Sequence, residues 1–228
     1  MWSGPRNLST ALMYSFASRS DCDVVDEPFY AAYLHHSGID HPMKSEVLAS
    51  QNIDPEEVIA ALTAPAFEPV QYQKHMAHHM LPSFRLDWIK SMQNVFLIRH
   101  PHRVVASYAQ KREAPNLDDL GFRQQAEIFA MVERSIVIDA SDIRADPERT
   151  LSMLCRRLGI DWDTAMLSWP KGGHAADGVW GKHWYGSVHQ SAGFAGQEGP
   201  MPKLSGDYLT LAEAAMPNYE AMAPYKIT

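Results

Sequence analysis

Four consecutive apolar residues, Val95 to Ile98, constrain the fold of this chain more than any other feature, because polar residues flank them on both sides. A run of this kind is typical of a strand that is buried on both faces of a sheet. Helical patterns alternate along the chain with five strand-like segments, at residues 1–2, 22–25, 70–74, 95–98 and 135–138. This alternation predicts an α/β fold in three layers, in which a mostly parallel sheet of about five strands has helices on both faces.

The domain organisation is simple, because the chain contains no internal repeat, no low-complexity tract and no clear linker. We therefore expect one domain over residues 1–228. Residues 169–202 differ from the rest, since they are rich in Gly, His and Trp and show little periodicity. Long irregular segments are usually functional, so we expect this one to form a lid beside a binding site.

The charge balance limits the partners of the protein. The chain has 27 acidic and 20 basic residues, a formal net charge of −7, whereas general binders of nucleic acid or anionic membranes need a basic face. No uncharged apolar run approaches the roughly 20 residues of a membrane span. Cys22 and Cys155 have no metal-binding or redox spacing, which favours reduced thiols in a cytoplasmic protein. We expect a cytoplasmic protein that binds neither nucleic acid nor membranes.

A turn at the start of the chain has the form of an anion site. Residues 3–10 lead from the first strand through Gly4 into a helix, and the N–H groups and dipole of a helix start favour negative charge. Arg6 adds a guanidinium suited to phosphate or sulfate oxygens, and Ser9 and Thr10 add hydroxyl donors. The loop lacks the lysine of nucleotide hydrolases, and an ordinary strand-to-helix turn remains an alternative interpretation.

Two further polar positions follow strand ends. Arg99 follows the apolar run, and Ser107 lies eight residues later in a helix predicted from Pro101 to about Arg112. Glu27 ends the second strand. Since ligands of open α/β sheets bind at the carboxyl ends of the strands, these side chains are expected to face the same crevice as Arg6. The alternatives are a surface arginine with a neutral helix serine, and an acid that caps or pairs with the next helix.

Taken together, three ordered segments resemble the sulfotransferase family. Residues 3–10 resemble its 5′-phosphosulfate loop in the variant with arginine, residues 99–107 resemble its 3′-phosphate motif, and residues 139–159 resemble the segment that follows. Asp-Glu-Pro-Phe-Tyr at residues 26–30 is similar to the bacterial sulfotransferase-like branch. The resemblance implies a P-loop-type α/β fold and 3′-phosphoadenosine-5′-phosphosulfate as the donor of a sulfuryl group.

The resemblance also implies roles for individual residues. Arg6 contacts the transferring group, Arg99 and Ser107 bind the 3′-phosphate, and Glu27 is the general base. In the cytosolic branch the base is a histidine near a lysine, for which His75 is a looser match. The donor-binding residues implied are Ser3, Gly4, Pro5, Arg6, Asn7, Leu8, Ser9, Thr10, Arg99, Ser107 and, as a loose match to a C-terminal motif, Lys182.

Two groups of aromatic and imidazole side chains have more than one possible role. The first is a cluster of three histidines, His75, His78 and His79, which could hold a metal, serve the acceptor site or be structural. Trp180, Trp184 and Tyr185 could line an acceptor pocket, cover the adenine or pack as a lid. Because a sulfuryl group carries less charge than a phosphoryl group, and the chain shows no clear metal carboxylates, we expect no metal.

The function predicted is therefore that of a sulfotransferase, which uses 3′-phosphoadenosine-5′-phosphosulfate to sulfate a hydroxyl or amine of a small-molecule acceptor. A homodimer is compatible with the sequence. Two alternatives remain at this stage. One is a small-molecule kinase, which the missing loop lysine disfavours, and the other is a non-catalytic relative that binds a nucleotide or anion.

Overall fold

A computed structural model describes residues 1–109 and 115–228. Its centre is a five-stranded sheet with the order β2-β3-β1-β4-β5, in which every pairing is parallel. This confirms the predicted α/β fold and its five strands. The strands are β1 (Trp2–Ser3), β2 (Cys22–Asp26), β3 (Val70–Met76), β4 (Asn94–Ile98) and β5 (Ser135–Asp139).

Helices surround the sheet within the described residues. They are α1 (Ser9–Ala17), α2 (Tyr30–Ser37), α3 (Lys44–Ser50), α4 (Pro55–Thr63), α5 (Pro101–Ala109), α6 (Leu117–Leu120), α7 (Phe122–Ala130), α8 (Ala140–Ala145), α9 (Pro147–Leu158), α10 (Gly181–Trp184), α11 (Gly186–His189) and α12 (Gly206–Glu220), with 3₁₀ turns at Ala77–His79, Asp87–Ser91, Thr164–Leu167 and Ala223–Tyr225. The end of the helix predicted to reach about Arg112 lies outside the described residues. No helix in residues 1–109 or 115–228 has both the length and the apolar character needed to cross a bilayer.

Strand β4 is buried on both faces, as the middle layer of a three-layer fold requires. Every residue of β4 is buried, and its side chains alternate between two apolar clusters. Leu97 packs with α1 and α9 on one face, whereas Phe96 and Ile98 pack with Trp2 and Trp88 on the other. A continuous apolar run is therefore needed here, because both faces of the strand lie in core.

Local signals set the ends of the helices that cover the sheet. The Asp54 side chain accepts a hydrogen bond from the Glu56 N–H at the start of α4, and Pro55 occupies the first turn. Asp146 caps α9 in the same way, and Gly159 ends that helix with φ 72°, a left-handed conformation that glycine adopts without steric cost. Helices α1, α2 and α5 begin at the carboxyl edge of the sheet, directly after β1, β2 and β4.

Candidate active site

A cavity of about 340 Å³ lies at the carboxyl edge of the sheet. Residues 5–11 line it after β1, Glu27 lines it after β2, and Arg99 and Ser107 line it after β4 and within α5. The structure thus brings together the side chains that the strand-end argument expected to share one crevice. Their chemical roles stay predictions.

The loop that follows β1 has an unusual backbone. Arg6 and Leu8 adopt φ values of 62° and 71°, in a left-handed region that costs a residue with a Cβ roughly 1–2 kcal/mol. Conformations of this kind cluster at ligand sites. Leu8 immediately precedes α1, and no side chain within the described residues caps this helix. The first N–H groups of α1 are therefore available to an anion in the cavity.

The first two residues of the loop, Ser3 and Gly4, pack against the protein interior. Ser3 is fully buried, and a Cβ on Gly4 would lie 2.2 Å from the Leu120 carbonyl oxygen. Only glycine fits at that close approach. Ser3 and Gly4 do not line the cavity, whereas Pro5 through Thr10 do.

Hydrogen bonds connect the loop to the β4 end. Arg6 Nε donates to Ser107 Oγ at 3.1 Å, and Arg99 Nη1 donates to the Arg6 carbonyl oxygen at 2.7 Å. Burial lowers the pKa of Arg6, and the neighbouring charge of Arg99 lowers it further. Arg6 and Arg99 thus place two guanidinium groups on one side of the cavity, and such groups favour a bound anion.

On the other side of the cavity, Glu27 is held by a buried lysine. The Glu27 N–H donates to the Lys74 carbonyl oxygen at 2.9 Å, and the backbone φ of Glu27 is 41°. Lys74 Nζ lies 2.5 Å from Glu27 Oε1 and 2.8 Å from Asp26 Oδ1. Burial lowers the pKa of Lys74, but the two carboxylates outweigh burial and leave it raised. Among the described residues, those that hydrogen-bond the Glu27 carboxylate contact Oε1, and none contacts Oε2.

The second carboxylate of this group, Asp26, is fully partnered. It accepts hydrogen bonds from Lys74, from the Gly178 N–H at 3.1 Å and from the Tyr185 hydroxyl at 2.8 Å. Trp180 Nε1 donates in turn to the Tyr185 oxygen at 2.8 Å. The irregular segment is thereby attached to the end of β2, beside the cavity.

Aromatic and imidazole rings form the wall near Glu27. His79 stacks on Tyr30 with ring centroids 4.5 Å apart, and the Tyr30 hydroxyl lies 2.5 Å from His41 Nδ1. Trp184 adds a further ring 5.6 Å from that of His41. Burial holds the pKa of His79 well below its ordinary value, so this ring is neutral. The wall beside Glu27 is therefore formed by stacked rings, of which His79 carries no charge.

Comparison with known proteins now decides the family. The family model described as a sulfotransferase domain matches residues 1–225. The chain belongs to the sulfotransferase-domain family. The resemblance drawn from residues 3–10, 99–107 and 139–159 is thereby confirmed.

Two curated relatives and two solved structures extend this result. The chain is 35% and 33% identical, over 226 residues and 97% of its length, to branched-chain-amino-acid aminotransferase-like proteins 1 and 2 of Arabidopsis thaliana. It spans 40% of the length of each of these relatives. The sulfotransferase domain of the curacin biosynthetic pathway matches with a TM-score of 0.56 and 14% identity, over 100% of this chain and 97% of that one. The sulfotransferase domain of the Synechococcus PCC 7002 olefin synthase matches with a TM-score of 0.50 and 17% identity, over 93% and 92%. At these identities the structures show the shared fold.

Within this sulfotransferase domain, His75 does not reach the cavity. Adjacent residues of a strand point to opposite faces, so His75 points away from the face on which Lys74 meets Glu27. Its ring stacks on Trp2 at 4.5 Å, and its Nε2 lies 3.2 Å from Gln73 Oε1. Burial first, and the N-terminal ammonium second, hold its pKa well below the ordinary value. The candidate base His75 is thus a buried neutral ring of the core.

Lys182 is also absent from the cavity lining. It lies on the short helix α10, where its side chain is exposed. The fold turns this position outward because Gly181 and Tyr185, on the same helical stretch, face the core. Within residues 1–109 and 115–228, no three His, Cys, Asp or Glu side chains are grouped as a metal would require, so the nearby histidines do not form such a set.

Several site residues were not identified from the sequence alone. Lys74 and Asp26 form the network behind Glu27, together with Tyr185, which the sequence suggests only as a ring of an acceptor pocket or lid. Arg103 and Arg144 contact Glu198, which is also the partner of Arg99. The register of β2 on β3 pairs Asp26 with Lys74, a relationship that becomes predictable only when the strands are aligned. The spacing of Arg99 and Arg103 over four residues was visible, but a helix turn of that kind is common on exposed faces.

Proposed function

We propose that this domain transfers a sulfuryl group from 3′-phosphoadenosine-5′-phosphosulfate to a hydroxyl or amine of a small molecule. One observation supports the proposal above the others. Arg6 donates to Ser107 and accepts from Arg99 at its carbonyl oxygen, on one side of a cavity that Glu27 also lines. Two cationic groups for an anionic donor and one carboxylate for an acceptor proton therefore share one space.

The donor is a substrate with two anionic ends, and the residues present fit both. The uncapped start of α1 and the Arg6 guanidinium suit the phosphosulfate. Arg99 and Ser107 suit the 3′-phosphate, because an arginine can bind two phosphate oxygens at once while a hydroxyl donates to the third. Orienting the donor in this way contributes to the rate, since group transfer of this type depends mostly on position and charge.

The reaction exchanges one bond to sulfur for another. The acceptor oxygen or nitrogen forms a bond to sulfur, the bond from sulfur to the bridging oxygen of the 5′-phosphate breaks, and that oxygen leaves with the electron pair. Arg6 and the N–H groups of the loop stabilise the charge that develops on the bridging oxygen. Glu27 takes the acceptor proton, and Lys74 holds its carboxylate in place. General-base assistance of this kind contributes about 10²–10⁴-fold.

Calorimetry with the desulfated product tests the donor site. We expect 3′-phosphoadenosine-5′-phosphate to bind more tightly than AMP, which lacks the 3′-phosphate, and Arg99→Ala to remove that preference. A transfer assay with a panel of alcohols and amines tests the reaction itself. Equal affinity for the two nucleotides would contradict the proposal, and donor binding without transfer to any acceptor would indicate a non-catalytic nucleotide-binding domain.

A further inference from the structure

Three arginine side chains converge on one carboxylate at the end of β4. Arg99 Nε lies 2.9 Å from Glu198 Oε1, and the Arg99 Nη2 atom contacts the same oxygen. Arg103 Nε on α5 lies 2.9 Å from Oε2, and Arg144 Nη1 on α8 lies 3.2 Å from Oε1. The Glu198 side chain is 4% exposed. Arg99, which the proposed function assigns to the donor, is thus already paired with Glu198 of the same chain.

The same arginines hold the backbone on both sides of this acid. Arg144 Nε donates to the Gly196 carbonyl oxygen at 2.9 Å, and Arg103 Nη2 donates to the Gly199 carbonyl oxygen at 2.7 Å. Residues 196–199, which we name the strap, belong to no helix or strand. The strap continues from Gly193 and Ala195, which line the cavity. It therefore extends from the wall of the cavity, and arginine contacts hold it beside Arg99.

The cluster of three arginines and Glu198 has an excess of positive charge. Three guanidinium groups face one carboxylate, so the formal sum is 3 − 1 = +2. A phosphate monoester carries about −1.5 to −2 charges near pH 7 and offers three oxygens for arginine. It complements three arginines better than a single carboxylate does, in charge and in number of acceptors.

The size of the cavity adds a second reason for movement. Its volume of about 340 Å³ is near the lower end of the roughly 300–1,000 Å³ of small-molecule sites. A nucleotide with two anionic ends and an acceptor must share that space. Displacement of the strap would enlarge it on the side where Arg99 lies.

We propose that Glu198 is an internal counter-ion in the position of the donor's 3′-phosphate, and that donor binding displaces it. This inference rests on the proposed function. The incoming phosphate exchanges with the carboxylate on Arg99, and Arg103 and Arg144 become part of the phosphate site. No covalent bond changes in this exchange. Glu198 lowers the affinity for the donor and links its binding to movement of the strap.

The test compares two nucleotides on charge variants of the 228-residue chain. In Glu198→Gln, we expect 3′-phosphoadenosine-5′-phosphate to bind about tenfold more tightly, a difference of about 1.4 kcal/mol, with AMP unchanged. Arg103→Gln and Arg144→Gln should each weaken binding of the bisphosphate and leave AMP unchanged. Glu148→Gln removes the same charge at an exposed position on α9 and is the control for net charge.

A measurement on the unmodified chain keeps the test independent of variant folding. Amide hydrogen exchange in the strap should accelerate when 3′-phosphoadenosine-5′-phosphate is added and stay unchanged with AMP. If the bisphosphate is preferred but Glu198→Gln binds it equally or more weakly, or if the strap exchange does not accelerate, Glu198 is a permanent structural partner and only this inference fails. If neither the unmodified chain nor Glu198→Gln prefers the bisphosphate, the proposed donor fails as well.

Discussion

Lys74 Nζ lies 2.5 Å from Glu27 Oε1 and 2.8 Å from Asp26 Oδ1, and the Lys74 side chain has no exposed surface. One ammonium group on β3 thus contacts two carboxylates of the neighbouring strand, because Asp26 ends β2 and Glu27 directly follows it. The two acids differ in what else they contact. The Tyr185 hydroxyl lies within hydrogen-bond distance of both acids, but Asp26 also accepts from the Gly178 N–H, whereas Glu27 lines the cavity. The pair divides into an anchoring acid and an acid that faces the site.

Glu27→Gln should separate binding from transfer. The amide keeps the size of the side chain and an oxygen for Lys74, but it cannot accept the acceptor proton. We expect a fall in transfer rate of about 10²–10⁴-fold, with affinity for 3′-phosphoadenosine-5′-phosphate unchanged by calorimetry. Glu133→Gln, at an exposed position, is the matched control. Full activity in Glu27→Gln would remove the residue from the mechanism.

Lys74→Met should be strongly destabilising. It leaves Asp26 and Glu27 buried without their cation, and loss of one partner of a buried ion pair costs about 3–5 kcal/mol. Urea unfolding at neutral pH measures this free energy. The double variant Lys74→Met with Asp26→Asn should recover part of it, because one of the stranded carboxylates is gone. A loss below about 1 kcal/mol, in the range of exposed pairs, would show that the network contributes little.

The sequence predicts the fold and the grouping of polar side chains at one sheet edge well, because strand position decides both. The apolar run at β4 requires two buried faces, and residues that follow parallel strands meet at one edge, so Arg6, Arg99 and Glu27 could be placed together. Contacts that depend on register or on irregular chain could not be predicted. The pairing of Asp26 with Lys74 requires an alignment of two strands, and Glu198 comes from a segment without periodicity. The choice of His75 was wrong in position because a shift of one residue along a strand changes the face.

Gly4→Ala tests whether the loop position depends on close packing beneath it. The added Cβ would lie 2.2 Å from the Leu120 carbonyl oxygen, so the loop or α6 must move. We expect a loss of about 1–3 kcal/mol in unfolding free energy, typical of overpacking, and weaker binding of 3′-phosphoadenosine-5′-phosphate. Gly186→Ala is the control, because a Cβ there meets nothing within 4 Å. Equal stability and affinity in the two variants would show that the loop accommodates the methyl group.

His75→Phe tests the core position of His75 through the pH dependence of stability. Burial depresses the pKa of His75 in the folded state, whereas the unfolded chain binds a proton at about pH 6.5. The stability from the neutral ring is therefore present above pH 6.5 and is lost as the pH falls below it. Between about pH 7.5 and about pH 5.5 this loss amounts to about 1.4 kcal/mol for one histidine.

Phenylalanine retains the stacking on Trp2 and has no proton to gain. Between these two pH values, the free energy of unfolding of His75→Phe, measured with urea, should therefore fall by about 1.4 kcal/mol less than that of the unmodified chain. His79, buried in the same way, affects both proteins equally and cancels in the difference. Transfer activity should persist in His75→Phe, and its disappearance with the donor still bound would restore His75 as a candidate base.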